Sequence, residues 1–182
     1  MNCTSCKQGK LIPNFLEPQL RSHACNHCGG DWLLVEDYVA WKENNPEFTV
    51  AEHADFEIED TQHALLCPAT GAIMHKYHIA NDSDHKLDYS PRVGGIWMDK
   101  GEWTYLKLAN LAGSLNRIFT DQWQQAIRTQ SARETFEDIY QERFGEDDYR
   151  KARDVREWLR NNANRADLRA YILAEDPYSA VR

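Results

Sequence analysis

Cys3-Thr4-Ser5-Cys6 is followed, after eighteen residues, by Cys25-Asn26-His27-Cys28-Gly29-Gly30. Two C-x-x-C pairs at this separation read as a structural zinc site: each tight knuckle supplies two thiolates, and a hairpin between them folds four sulfurs into a tetrahedron with no position open to a substrate. One zinc per chain is expected, on Cys3, Cys6, Cys25 and Cys28. Gly29 and Gly30 allow a sharp turn and leave amides free to face thiolate sulfur. A redox dithiol would want its C-x-x-C at the start of a helix after a strand, and no such setting surrounds these cysteines. His23 and His27 lie nearby, but His27 sits inside a knuckle where its side chain points away from the ligands.

Outward from this stretch, Lys10-Leu11-Ile12, Phe15-Leu16 and Arg21 to Ala24 form an irregular hairpin, Trp32 to Val35 a third strand, and Glu36-Asp37 opens a helix that turns Tyr38, Trp41 and Val39 to the sheet. The pattern then returns. Cys67-Pro68-Ala69-Thr70 stands for the first pair, and Ser90-Pro91-Arg92-Val93-Gly94-Gly95-Ile96-Trp97-Met98 stands for Cys25 to Leu33, nineteen residues on. Both copies carry Gly-Gly-x-Trp followed by an apolar residue, so the chain duplicates one ribbon, and in the second copy three of four ligands have become Thr70, Ser90 and Val93. Met74 to Ala80 and Lys86 to Tyr89 supply its hairpin, with Asn81 to Asp84 as the turn. Asp99 is expected as a helix N-cap, with Glu102 in capping-box position. His75 and His78 fall on opposite faces of their strand, so a second metal site from Cys67 with His63, His75, His78 or His85 is not expected. Cys67 reads instead as a small buried hydrophobe.

At this point the sequence resembles the TFIIB-type zinc-ribbon family of small bacterial proteins. The resemblance rests on Cys3, Cys6, Cys25, Cys28, Gly29, Gly30 and Trp32 in the first copy, and on Gly94, Gly95, Trp97, Asp99, Gly101 and Glu102 in the second. Thr4 stands where the family has proline. The resemblance covers roughly the first 110 residues and implies a zinc-ribbon fold with zinc on the first four cysteines. It implies little about activity, since the ribbon of the namesake factor is a protein-docking module.

The remaining sequence divides by charge and period. Residues 42–66 hold one basic and seven acidic groups and read as a solvated connector, with a short strand through Phe56 and Ile58. From 102 onward the period is helical. Leu115, Ile118, Phe119, Trp123, Ala126 and Ile127 share a face that Phe136, Tyr140 and Phe144 extend, and either one bent helix or two fit 114–144. A helix over about 147–161 is expected to bury Ala152, Val155 and Leu159, and a last one runs over about 164–174. The fold class is α+β: a zinc ribbon at 1–41, the connector at 42–66, a metal-free ribbon at 67–112 and a helical region at 113–182. The second ribbon is expected to dock on the helices as one cooperative domain, apart from a separately stabilised zinc unit.

A net charge of −8 removes an overall basic footprint for nucleic acid. No apolar run approaches the ~20 residues of a membrane helix, Met1 leads almost directly into Cys3, and an odd count of five cysteines suits a reducing compartment, so a cytoplasmic protein is expected. No nucleophile has a base at a recognisable spacing and no Gly-rich phosphate loop follows a strand, which argues against an enzyme. The expected role is a zinc-stabilised interaction or scaffold protein with a protein partner. The alternative is a nucleic-acid-binding transcriptional accessory using the zinc ribbon and the row Arg153, Arg156 and Arg160. The sequence leaves the oligomeric state open.

Overall fold

The computed structural model describes residues 1–46, 61–81 and 83–178, so the strand expected through Phe56 and Ile58 lies outside the described residues. The class is α+β. Strands β1 (Leu11–Glu17), β2 (Leu20–Cys25) and β3 (Asp31–Leu34) lead into helix α1 (Val35–Asn44). Strands β4 (His75–His78), β5 (Lys86–Ser90) and β6 (Gly95–Met98) lead into α2 (Glu102–Leu108). A 3-10 turn at Ala112–Ser114, α3 (Leu115–Ile118), α4 (Asp121–Phe144), α5 (Glu146–Arg160) and α6 (Arg165–Leu173) follow. The chain separates into two compact units, 1–130 and 131–182.

In the first unit the two ribbons form one antiparallel sheet of six strands in the order β1-β2-β3-β6-β5-β4. They meet at β3 and β6, where Trp32 lies opposite Trp97, Asp31 opposite Met98 and Leu33 opposite Ile96. The offset that carries Trp32 onto Trp97 carries Asp31 onto Ile96 and Leu33 onto Met98, so the flanking pairs exchange and the sheet has an internal pseudo-two-fold axis at the tryptophan pair. The Gly-Gly-x-Trp repeat now has a steric reason. A Cβ on Gly30 would lie 2.4 Å from the Trp97 ring and one on Gly95 2.0 Å from the Trp32 ring, so each indole covers the second glycine of the other ribbon.

One face of the sheet carries the main core. Leu20, Leu33, Tyr38 and Trp41 of the first ribbon pack with Leu87, Ile96, Met98 and Leu106 of the second and with Leu115 and Ile118 behind them. Polar groups cross the same seam. Trp103 Nε1 and Lys107 Nζ of α2 both donate to Glu17 Oε1 of β1 at 2.8 Å, and the buried Tyr38 hydroxyl donates to Ala112 O at 2.8 Å while accepting from the Leu115 amide at 3.2 Å. The separate zinc unit and second-ribbon domain drawn from the sequence are thus replaced by one shared sheet and core. The physical reason is that β3 and β6 are each the free edge of a three-stranded ribbon, and each satisfies the other's backbone groups.

The helices differ from expectation in extent and burial. The break falls at Phe119–Thr120, where Thr120 Oγ1 accepts the Trp123 amide at 3.3 Å, and α4 then runs unbroken past Ser131. Leu115 and Ile118 are buried and Phe119 and Trp123 pack partly against the core, but Ala126 is exposed. Gln124 is buried in its neighbourhood, donating to His78 O and Ile118 O at 2.8 and 2.9 Å. Beyond residue 130 the expected apolar face stays open to solvent: Phe136, Tyr140, Phe144 and Val155 are exposed, as is Ala152, and Leu159 is half-buried. In α1, Tyr38 and Trp41 are buried as expected and Val39 is exposed.

Candidate metal centre

The first ligand pair sits on a knuckle closed by the Cys3 amide to Gly9 O at 2.9 Å and the Leu11 amide to Met1 O at 2.9 Å. Cys25 and Cys28 sit on a second, closed by the Cys25 amide to Gly30 O at 2.8 Å, with Gly29 at a φ of 73° where a Cβ would be strained. The knuckles are tied directly to each other, because the Asn26 amide donates to Lys10 O at 3.1 Å and the Lys10 amide to Asn26 Oδ1 at 2.9 Å.

All four sulfurs lie within 4.8 Å of one another. Cys3 Sγ is 3.8 Å from Cys28 Sγ, and Cys6 Sγ is 3.7 Å from Cys25 Sγ. A tetrahedron with metal–sulfur bonds of about 2.3 Å has edges of about 3.8 Å, so the spacing fits a tetrahedral thiolate site. Amides face the sulfurs: Gly9 N to Cys6 Sγ at 3.4 Å, His27 N and Cys28 N to Cys25 Sγ at 3.4 and 3.5 Å, and the Gly30 amide to Cys28. Of the two glycines singled out in the sequence, Gly30 plays that part. Gly9 was not legible as a site residue. A Cβ there would lie 2.3 Å from Cys25 Sγ, a contact between residues far apart in sequence.

Proton affinities within the group are split. Burial pushes Cys3 up to about 11 and also raises Cys28. Burial opposes ionisation of Cys6 too, but the Gln8 and Gly9 amides and neighbouring thiols outweigh it and bring that thiol down to about 6. A metal ion entering here must therefore displace protons from at least Cys3 and Cys28.

The second ribbon keeps the knuckle and not the ligands. Its Cys67 amide donates to Ala72 O at 2.7 Å and its Met74 amide to Leu65 O at 2.9 Å, matching the bonds around Cys3. Cys67 is buried, as expected, beside the Ser90 and Thr70 hydroxyls. Burial works to raise its pKa, yet those hydroxyls and the Ala69 and Thr70 amides lower it on balance. One thiol, two hydroxyls and Val93 are a poor donor set. Among the described residues only Cys3, Cys6, Cys25 and Cys28 form a metal-ligating group, and none of His23, His27, His63, His75, His78 or His85 joins it. No described helix is long and apolar enough to cross a membrane.

Asp99, expected as a helix cap, has another task. Its carboxylate accepts from Trp97 Nε1 at 2.7 Å and from the Thr61 amide at 2.6 Å, fixing the seam tryptophan and the end of the connector. The reverse half of the capping box does form, with the Asp99 amide donating to Glu102 Oε2 at 2.8 Å. The arginine row is also redrawn. In the second unit a groove of about 770 Å³ between α5 and α6 is lined by Arg156, Arg160, Arg165 and Arg169 over Ala152, Val155 and Leu159, without Arg153.

No protein-family model, curated protein or solved structure matches this chain. The geometry by itself defines a four-cysteine metal-binding group on a duplicated, six-stranded antiparallel ribbon sheet.

Proposed function

We propose that this chain is a zinc-stabilised interaction protein of the TFIIB-type ribbon class, cytoplasmic and without catalysis of its own. The observation that carries the reading is the contrast between its two units. The first closes a core around a thiolate site with no open position. In the second, no described residue of 131–178 is buried, and Phe136, Ile139, Trp158 and Leu173 are 48–78% exposed. Three helices that bury so little cannot offset the entropy of ordering their own chain, so their apolar faces call for a protein partner. Four thiolates favour zinc among the common divalent ions and suit a reducing compartment. A nucleic-acid role is less well supported, because the groove gathers only four arginines on a chain with net charge −8.

Hydrogen exchange on the intact, metal-loaded chain tests this. Amides of 131–178 should exchange quickly in dilute protein and gain protection on partner binding. Mixed-sequence DNA and RNA at low salt should protect nothing. Full protection of these helices in the dilute monomer would remove the need for a partner, and salt-sensitive nucleic-acid binding would favour the accessory role.

A further inference from the structure

Resting on that reading, the inference concerns a contact surface of the first unit, on the sheet face opposite the main core. The pseudo-two-fold axis relates the two halves place by place. Trp97 is the counterpart of Trp32 and Asp99 of Leu34, and at the knuckles, where Cys67 matches Cys3, Ser5 is the counterpart of Ala69. In the second half this place is complete. Trp97 Nε1 donates to Asp99 Oδ1, the other oxygen of that carboxylate accepts the Thr61 amide, and the Thr61 hydroxyl lies 3.2 Å from Ser5 Oγ, so a length of chain runs over the knuckle to the indole. In the first half the matching place is a cleft of about 590 Å³, lined by Trp32, Leu34 and Ala69 together with Val93.

Both indoles lie the same way, each turning Cζ2 and Cη2 to the second glycine of the other ribbon, so Trp32 Nε1 faces position 34 as Trp97 Nε1 faces position 99. Leucine offers no acceptor there. Trp32 is 2% exposed, and among the described residues nothing accepts from its N–H. A donor so deep costs free energy until an acceptor reaches it. Charge favours a carboxylate in that role. His23 lies opposite Trp32 in the register, Arg21 stands two residues before it on β2 and so on the same face, and both line the cleft. Among the described residues neither has a hydrogen-bond or ion-pair partner. Glu36 and Asp37, at the start of α1, line it too and repel a run of acids, but they suit amides: Asp37 is the counterpart of Glu102, whose carboxylate accepts a backbone amide at 2.8 Å.

We infer that this cleft takes an extended segment of a partner protein, with one Asp or Glu side chain accepting from Trp32 Nε1 beside Arg21 and His23 and an apolar neighbour against Leu34 and Val93. Such a segment stands in at once for the carboxylate of Asp99 and for the chain around Thr61, which a free anion does not. A polynucleotide fits less well, since its phosphates would meet Glu36 and Asp37.

The probe is a capped Gly-Ser peptide with a central Leu-Asp-Thr, titrated into the metal-loaded full chain and followed by proton–nitrogen correlation spectra. The Trp32 indole N–H should move downfield to saturation while that of Trp97 stays. Versions with Asn or Lys in place of Asp should bind at least about tenfold more weakly, as should the peptide on Trp32→Phe or Arg21→Glu chains. Leu34→Asp supplies from within the acceptor that Asp99 gives Trp97, so the Trp32 N–H should move downfield without peptide and peptide binding should weaken about tenfold. Arg21 is exposed, and one metal per chain controls for folding in every variant. A Trp32 signal that the Asp peptide leaves unmoved, equal binding of the Asp, Asn and Lys versions, or a folded Leu34→Asp or Arg21→Glu chain that binds like wild type overturns the proposal. Partner-induced protection of 131–178 in that case leaves the interaction role standing. An RNA oligonucleotide that moves Trp32 where the peptide does not overturns both.

Discussion

Gly9 shows how one residue can be fixed by a contact invisible along the chain. Its Cβ would meet Cys25 Sγ, so Gly9→Ala must move a ligand, and competition with a chromophoric chelator should show weaker metal binding while Cys67→Ser leaves stoichiometry at one. Cys25→Ser should lose the metal. The split proton affinities set a pH dependence: Cys3 and Cys28 are raised, so their thiols are protonated at neutral pH and at least two protons leave when metal binds. Affinity should then fall at least about 100-fold for each pH unit below neutrality, measured by the same competition. The ligands were legible because metal chemistry constrains spacing along the chain. Gly9 and the bonds from Trp97 and Thr61 to Asp99 were not, because they depend on how distant segments cross.

At the scale of elements, the seam between β3 and β6 is where the fold is most sensitive. Trp97 is 1% exposed with its Nε1 bound to Asp99, so Trp97→Ala should cost ~3–5 kcal/mol in denaturant unfolding. Gly95→Ala should cost ~1–3 kcal/mol or more, because the Trp32 ring occupies the space and the backbone there is already paired. Gln124→Leu removes the donor that serves the Ile118 and His78 carbonyls, the first of them buried, and should cost ~1–3 kcal/mol, whereas Gln125→Leu, on an exposed position, should be nearly neutral. The strands could be read from the duplicated pattern, since both copies follow the same knuckle and turn chemistry. Helix burial could not. The stripe from Leu115 to Phe144 looks continuous, but the sheet reaches only as far as Trp123 and Gln124, and periodicity does not say where a helix runs off its support.

For the whole molecule, the duplicated pattern predicts two ribbons with a border between them. The structure joins them into one six-stranded sheet with a common core, because each ribbon ends in an edge strand that matches the other in register. The border that does appear lies far downstream, at residue 130. A structural zinc contributes ~10 kcal/mol or more to folding, comparable with the ~5–15 kcal/mol net stability of a whole domain. Metal on the first ribbon should therefore hold the second as well, although the second supplies no ligand. The most direct test is hydrogen exchange on the intact chain before and after removal of metal by chelation. With a shared core, amides of Lys86–Ser90 and Gly95–Met98 should lose protection together with those of Leu20–Cys25 and Asp31–Leu34. Continued protection of β5 and β6 in the metal-free chain, with only β1 to β3 exposed, would contradict it.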